Sequence, residues 1–196
     1  YPAEWMIPAS AQSITSHQTG YVQHIDVNAL AAIAKAGEMQ IFLDVLPGSF
    51  VHLGMPLART VSLNKERVDE LNSSTKKILA ALTIGVRRTF EHDPRFGLSV
   101  LSEIASRALS PAVNDPGTAI DVIGRGVRSL TCWGRPQDHA GNIDEDCEQV
   151  YLRGLTVDDL FEDFFAPIAR DGASLLEVDL RMMKALVSLA QINPRM

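Results

Sequence analysis

The amino-acid sequence predicts an α+β fold: a small β-rich unit at residues 1–62, with a barrel-sandwich-like hairpin, packed on a bundle of about five helices at 63–196. Three observations predict it. Up to residue 62, short apolar runs are broken by Pro-Gly and Gly-x-Pro steps, the chemistry of strands and turns. Beyond it, apolar residues recur at three- and four-residue steps, the period of a helix buried on one side. Within that second region two Asp-Pro steps, Asp93-Pro94 and Asp115-Pro116, each open such a segment. Asp before a helix accepts from its orphan N–H groups, and Pro at the first helical position gives up a donor that has no partner anyway.

In chain order, residues 1–18 read as an extended lead-in, and Gly20–Asp26 alternates as a strand does. Asn28–Ala36 is Ala-rich and reads as a short helix, capped by Asp26 and stopped by Gly37. Met39–Val45 reads as another strand. From Leu46 to Ala58, turn steps flank the strand-like Phe50-Val51 and Leu57, giving a hairpin similar to that of biotinyl and lipoyl carriers. Those carriers need a Lys on an exposed turn, and none lies near it, so the hairpin reads as structural.

Asn64–Phe90 is the longest periodic segment, with Val68, Leu71, Ile78, Leu79, Leu82, Val86 and Phe90 in one stripe opposite a charged face. After Asp93, the series Phe96, Val100, Leu101, Ile104, Ala105, Ala108 and Leu109 predicts a core helix. After Asp115, Ala119, Ile120, Ile123, Val127 and Leu130 predict a second, joined to the first by the tight Ser110–Asn114 corner. Gly124 and Gly126 fall inside it and read as sites of close helix packing rather than a phosphate loop. Residues 134–146 form a polar loop, and Cys147–Arg153 suits a returning strand. Thr156 caps the next helix, whose apolar face includes Phe161, Phe164 and Phe165, a possible subunit interface if they exceed what one core needs. Beyond Gly172, Leu175, Leu176, Leu180, Met183, Leu186, Val187 and Ala190 recur in a last helix ended by Asn193-Pro194.

Composition narrows the function. A chain of 196 residues with 46% apolar and 21% charged residues can build one large core or two small ones. A net charge of −6 argues against nucleic acid as a partner, since binders of it show a basic stripe. No apolar run reaches the roughly 18–20 residues that span a bilayer, and the first residues lack the basic start and apolar stretch of a signal peptide. Cys132 and Cys147 make no CxxC pair, and no His has zinc spacing around them, so they read as structural or incidental thiols.

The stretch 87–130 is unusually polar for a pair of core helices. Arg88-Thr89, Asp93-Pro94 and Phe96-Gly97-Leu98, followed by Ala105 to Ala119 (ASRALSPAVNDPGTA), resemble the signature of an uncharacterised bacterial family of predicted membrane proteins. Gly117 stands where that pattern has Thr. The resemblance implies a parent protein in the inner or plasma membrane, with several transmembrane helices ahead of this region. It implies that the present chain is an excised soluble part, on the cytoplasmic side if its thiols are reduced.

Three readings of the polar corner follow. In the first, the Asp-Pro steps are capped helix starts, and the chain is an assembly, sensing or gating domain that forms a homo-oligomer and needs no cofactor. In the second, His92, Asp93 and Asp115 act as a hydrolase centre, with or without a metal. Neighbours on an extended chain point apart, however, and no HxH, HxxxH or HExxH spacing is present, so no metal ligand set is predicted. In the third, Arg88, Arg107 and Asn114 bind an anion at the helix starts, where free N–H groups favour negative charge. The Asp caps already occupy that charge, which favours the first reading.

Overall fold

The structure, a computed structural model, describes residues 7–63, 68–134, 149–152 and 154–192. The fold is α+β. Its strands are β1 (Gln12–Thr15), β2 (Gly20–Ile25), β3 (Met39–Leu43), β4 (Phe50–Val51), β5 (Pro56–Ser62), β6 (Leu82–Gly85) and β7 (Val150–Leu152). Its helices are α1 (Val27–Ala36), α2 (Val68–Ala80), α3 (Pro94–Ala108), α4 (Pro116–Gly134), α5 (Val157–Gly172) and α6 (Leu176–Ile192). The expected polar loop beyond Gly134, and Cys147, lie outside the described residues.

The chain divides into two compact units, Tyr1–Asp93 with Ala140–Gly154, and Pro94–His139 with Leu155–Met196. The expected boundary at 62/63 therefore moves to the first Asp-Pro step. The reason is pairing: α2 and β6 complete the β unit, placing Ile78, Ala81 and Leu82 in its core with Leu30, Met39, Ile41, Val51 and Leu57.

The first unit holds two sheets, one ordered β1-β5-β3-β7 and the other β4-β2-β6. Part of the expected lead-in is thus a strand, β1, antiparallel to β5. The expected returning strand is β7, and it runs parallel to β3 with Phe42 opposite Tyr151, their rings stacked 4.6 Å apart. The hairpin expectation fails: β4 pairs with β2, whereas β5 pairs with β1 and β3. The turn between them carries the chain from one sheet to the other.

The single helix expected from Asn64 to Phe90 ends at Ala80. Thr83 and Ile84 are β-branched and fit a strand better than a helix, and β6 pairs antiparallel with β2. Val86 and Phe90, placed on the expected stripe, are exposed. The sequence reading of α1 holds: Asp26 accepts from the Ala29 N–H at 2.9 Å, and the Gly37 N–H closes the helix onto Ile33.

The second unit packs α3, α4, α5 and α6 around Phe164, Ile123, Leu130, Leu160, Ile168 and Leu189, four helices rather than five because α2 belongs elsewhere. Both core helices begin at the proline of their Asp-Pro step. On α3 the buried face is Leu98, Ser102, Ala105 and Ala108, and Ile104 points out. Ser102 belongs on that face because its hydroxyl donates to the Phe164 carbonyl at 3.0 Å. Pro167 in α5 lacks the N–H that would bond the carbonyl one turn earlier, at Asp163, so this part of the helix has a thinned ladder.

Arg95 ties α3 to α5 with a two-pronged pair to Asp163, at 2.6 and 3.0 Å. Thr156 and Asp159 form a reciprocal capping box at the start of α5. Gly126 lets α4 reach the Phe164 ring, which any Cβ there would overlap, as the sequence reading of close packing expects. Phe164 and Phe165 are buried, so they supply core rather than an interface.

Gly126→Val is expected to lower stability by about 1–3 kcal/mol through overpacking. Adding Phe164→Leu should recover part of that loss, and urea midpoints of the two variants measure both effects.

Candidate functional site

The residues of the polar corner fall in both units and are described within each. In the first unit, the path to Arg88 starts with a bulge. Between Val22 and His24 the β2–β6 register shifts, so Gln23 is the extra residue on β2. A bulge re-aims its side chain, and Gln23 Nε2 donates to the Arg87 carbonyl at 2.7 Å. Gly85 makes this possible, because a Cβ there would occupy the space of the Gln23 amide. The segment after β6 is thereby held to the sheet.

Arg88, next along, closes a two-pronged pair with Asp93: Nε to Oδ2 at 2.7 Å and Nη2 to Oδ1 at 2.9 Å. Asp93 is 2% exposed. Its carboxylate is boxed in by the Leu46–Ser49 turn, where the Ser49 N–H bonds the Leu46 carbonyl at 3.0 Å. Pro47 followed by Gly48 at φ +92° fits a type II turn. A Cβ on Gly48 would overlap the Asp93 carboxylate. The Gly48 N–H donates to the Val22 carbonyl at 2.7 Å, so the turn that packs on Asp93 is itself bonded to β2. His92 is exposed, and its ring lies 4.5 Å from that of His24.

In the second unit, Arg107, Asn114 and Asp115 are all exposed. Asn114 takes the left-handed conformation at φ +48°, which Asn tolerates better than most residues. This lets the chain reverse between α3 and α4, with the Asp115 N–H bonded back to the Ala108 carbonyl at 2.8 Å. Asp115 then caps α4, accepting from the Thr118 hydroxyl at 2.6 Å and the Thr118 N–H at 3.1 Å. The Thr118 hydroxyl, then its N–H, hold the Asp115 carboxyl below its ordinary value.

Among the described residues, no three His, Cys, Asp or Glu side chains gather in a way that could hold a metal ion. Gln23 and Thr118 were not singled out by the sequence reading. Pro47-Gly48 announced a turn, but nothing local announces that a distant carboxylate packs on it.

Two outcomes follow. Asp93→Ala should cost roughly 3 kcal/mol, since it strands a half-buried guanidinium. Gly48→Ala should then cost less on the Asp93→Ala background than on the parent chain, because the overlapped carboxylate is gone and only the backbone strain is left. Chemical unfolding of the four chains checks this. Separately, Asp115→Ala should lower the melting temperature at neutral pH. The folded-state value of this carboxyl is depressed, so its contribution is present above the unfolded value and lost as pH falls through the folded one. The gap between parent and variant melting temperatures should therefore close in acid.

Comparison with known proteins places these observations. Residues 2–188 match a family described as "Predicted membrane protein (DUF2254)". Among curated relatives, "Uncharacterized protein Rv1290c" of Mycobacterium tuberculosis (strain H37Rv) and "Uncharacterized protein Mb1321c" of Mycobacterium bovis are each 35% identical over 116 residues. The aligned part is 59% of this chain and 22% of each relative, so the chain spans about a fifth of their length. No solved structure matches. Among the described residues, no helix is long and apolar enough to cross a membrane. The match over nearly the whole chain, a span that includes the Asp-Pro signature, means that this chain belongs to the DUF2254 family of predicted membrane proteins.

Proposed function

We propose that this chain is an assembly domain of a multi-pass bacterial membrane protein, lying outside the bilayer, with sensing or gating as its wider role and no chemistry of its own. The observation that supports this most is the condition of Asp93. A carboxylate that is to act as a base or nucleophile needs access to a substrate. Asp93 is buried, clasped by Arg88 and covered by the Gly48 turn. Asp115, the other signature carboxylate, is occupied by Thr118 at a helix start. The groups that make the sequence look catalytic thus have structural work. The exposed thiol of Cys132 suits a reducing compartment and supports a cytoplasmic placement.

The competing reading, a hydrolase or an anion- or metal-binding domain at Arg88, His92, Asp93 and Asp115, gains no comparable support. A thermal-shift screen separates the two. Phosphate, nucleotides, carboxylates, zinc and magnesium should leave the melting temperature unchanged. A ligand at a hundred times its dissociation constant adds about 2.7 kcal/mol, or roughly 5–10 °C for a protein of this size. A shift of that order, removed by Arg88→Ala or His92→Ala in a folded chain, would overturn the assembly reading.

A further inference from the structure

The last helix carries two apolar faces. Val178, Ala185 and Leu189 are buried, with Met182 packed beside them. On the far side Leu176, Leu180, Met183 and Val187 are 70%, 47%, 62% and 57% exposed. These are the residues that the sequence pattern marks as the apolar stripe of the helix, and the fold turns them outward.

Their spacing of four, three and four is that of the a and d positions of a coiled-coil seam. At about 100° per residue they fall within roughly 60° of the helix circumference, on the side away from the core. Scattered exposed apolar residues need no explanation, but a contiguous stripe marks a contact surface.

We infer that this stripe is a dimer seam, on which α6 packs antiparallel against α6 of a second copy of the chain. The inference rests on the assembly reading and makes it specific. Setting Leu180 opposite Met183 of the second copy puts Leu176 opposite Val187 and closes four layers about a two-fold axis. The same register brings Glu177, on one flank of the stripe, beside Lys184 of the second copy, and does so twice by symmetry. Among the described residues, neither Glu177 nor Lys184 has an ion-pair partner within its own chain. A parallel arrangement would instead bring together the acidic first turns, Glu177 and Asp179, of both copies. Antiparallel packing separates them and opposes the helix dipoles. The seam is about 16 Å long by helical rise. That gives less than the roughly 800 Å² per partner of a standard interface, so the dimer forms and dissociates with concentration.

Sedimentation of the 196-residue chain from micromolar to millimolar concentration tests this. The mass should rise from monomer to dimer. Leu180→Glu with Met183→Glu should hold the chain monomeric, with circular dichroism unchanged and, at micromolar concentration where the parent is also monomeric, the melting temperature unchanged, because both positions are exposed. Lys184→Glu should weaken association by about tenfold or more, and adding Glu177→Lys should restore it. A chain that dimerises regardless of Leu180→Glu and Met183→Glu would remove α6 as the seam while leaving the assembly reading standing. A chain monomeric throughout would overturn both. Restoration of Lys184→Glu by Asp179→Lys, and not by Glu177→Lys, would overturn the antiparallel register.

Discussion

The buried pair between Arg88 and Asp93 is the constraint on which the first unit's last segment depends. Isolated, either charge would be costly in that position, because a carboxylate 2% exposed has almost no water to solvate it. Two parallel N–H to oxygen bonds at 2.7 and 2.9 Å offset that penalty and fix the orientation of both groups. Several otherwise unrelated features serve this pair. Gly48 clears space at the carboxylate, the bulge at Gln23 anchors the segment that presents Arg88, and Gly85 clears space for Gln23. Each is a backbone device acting on one ionic contact.

The second unit solves a different problem, the close approach of helices. Gly126 admits the Phe164 ring, and Ser102 satisfies the Phe164 carbonyl from the neighbouring helix. Arg95 bridges α3 and α5 through Asp163. A hydroxyl and a missing side chain on otherwise apolar faces are thus explained by one aromatic residue. The outer stripe of α6, Leu176, Leu180, Met183 and Val187, takes no part in this core.

Local signals in the sequence were reliable where the physics is local. The two Asp-Pro helix starts, the Asp26 cap, the Gly37 stop and the Thr156 cap all depend on residues within one turn of each other, and each is found where the sequence puts it. Periodicity was less reliable where two elements share one phase. Ile78, Leu79 and Leu82 continue a helical stripe across the end of α2, although the chain has already become a strand at Leu82. On α6 both faces are apolar, so spacing alone could not say which one is buried. The candidate site was legible as a set of residue types, but not as geometry. Arg88 and Asp93 are close enough in sequence to suggest a pair, whereas the packing of Gly48 on that pair depends on the sheet.

The central claim is that the signature polar groups hold the fold. A double-mutant cycle between Arg88 and Asp93, using Arg88→Met and Asp93→Asn and read by urea unfolding, tests it most directly. The account predicts that each single change destabilises the chain, and that the two couple by about 2 kcal/mol or more. Additive effects near zero, with both single variants as stable as the parent, would contradict it and return these residues to the list of candidates for chemistry.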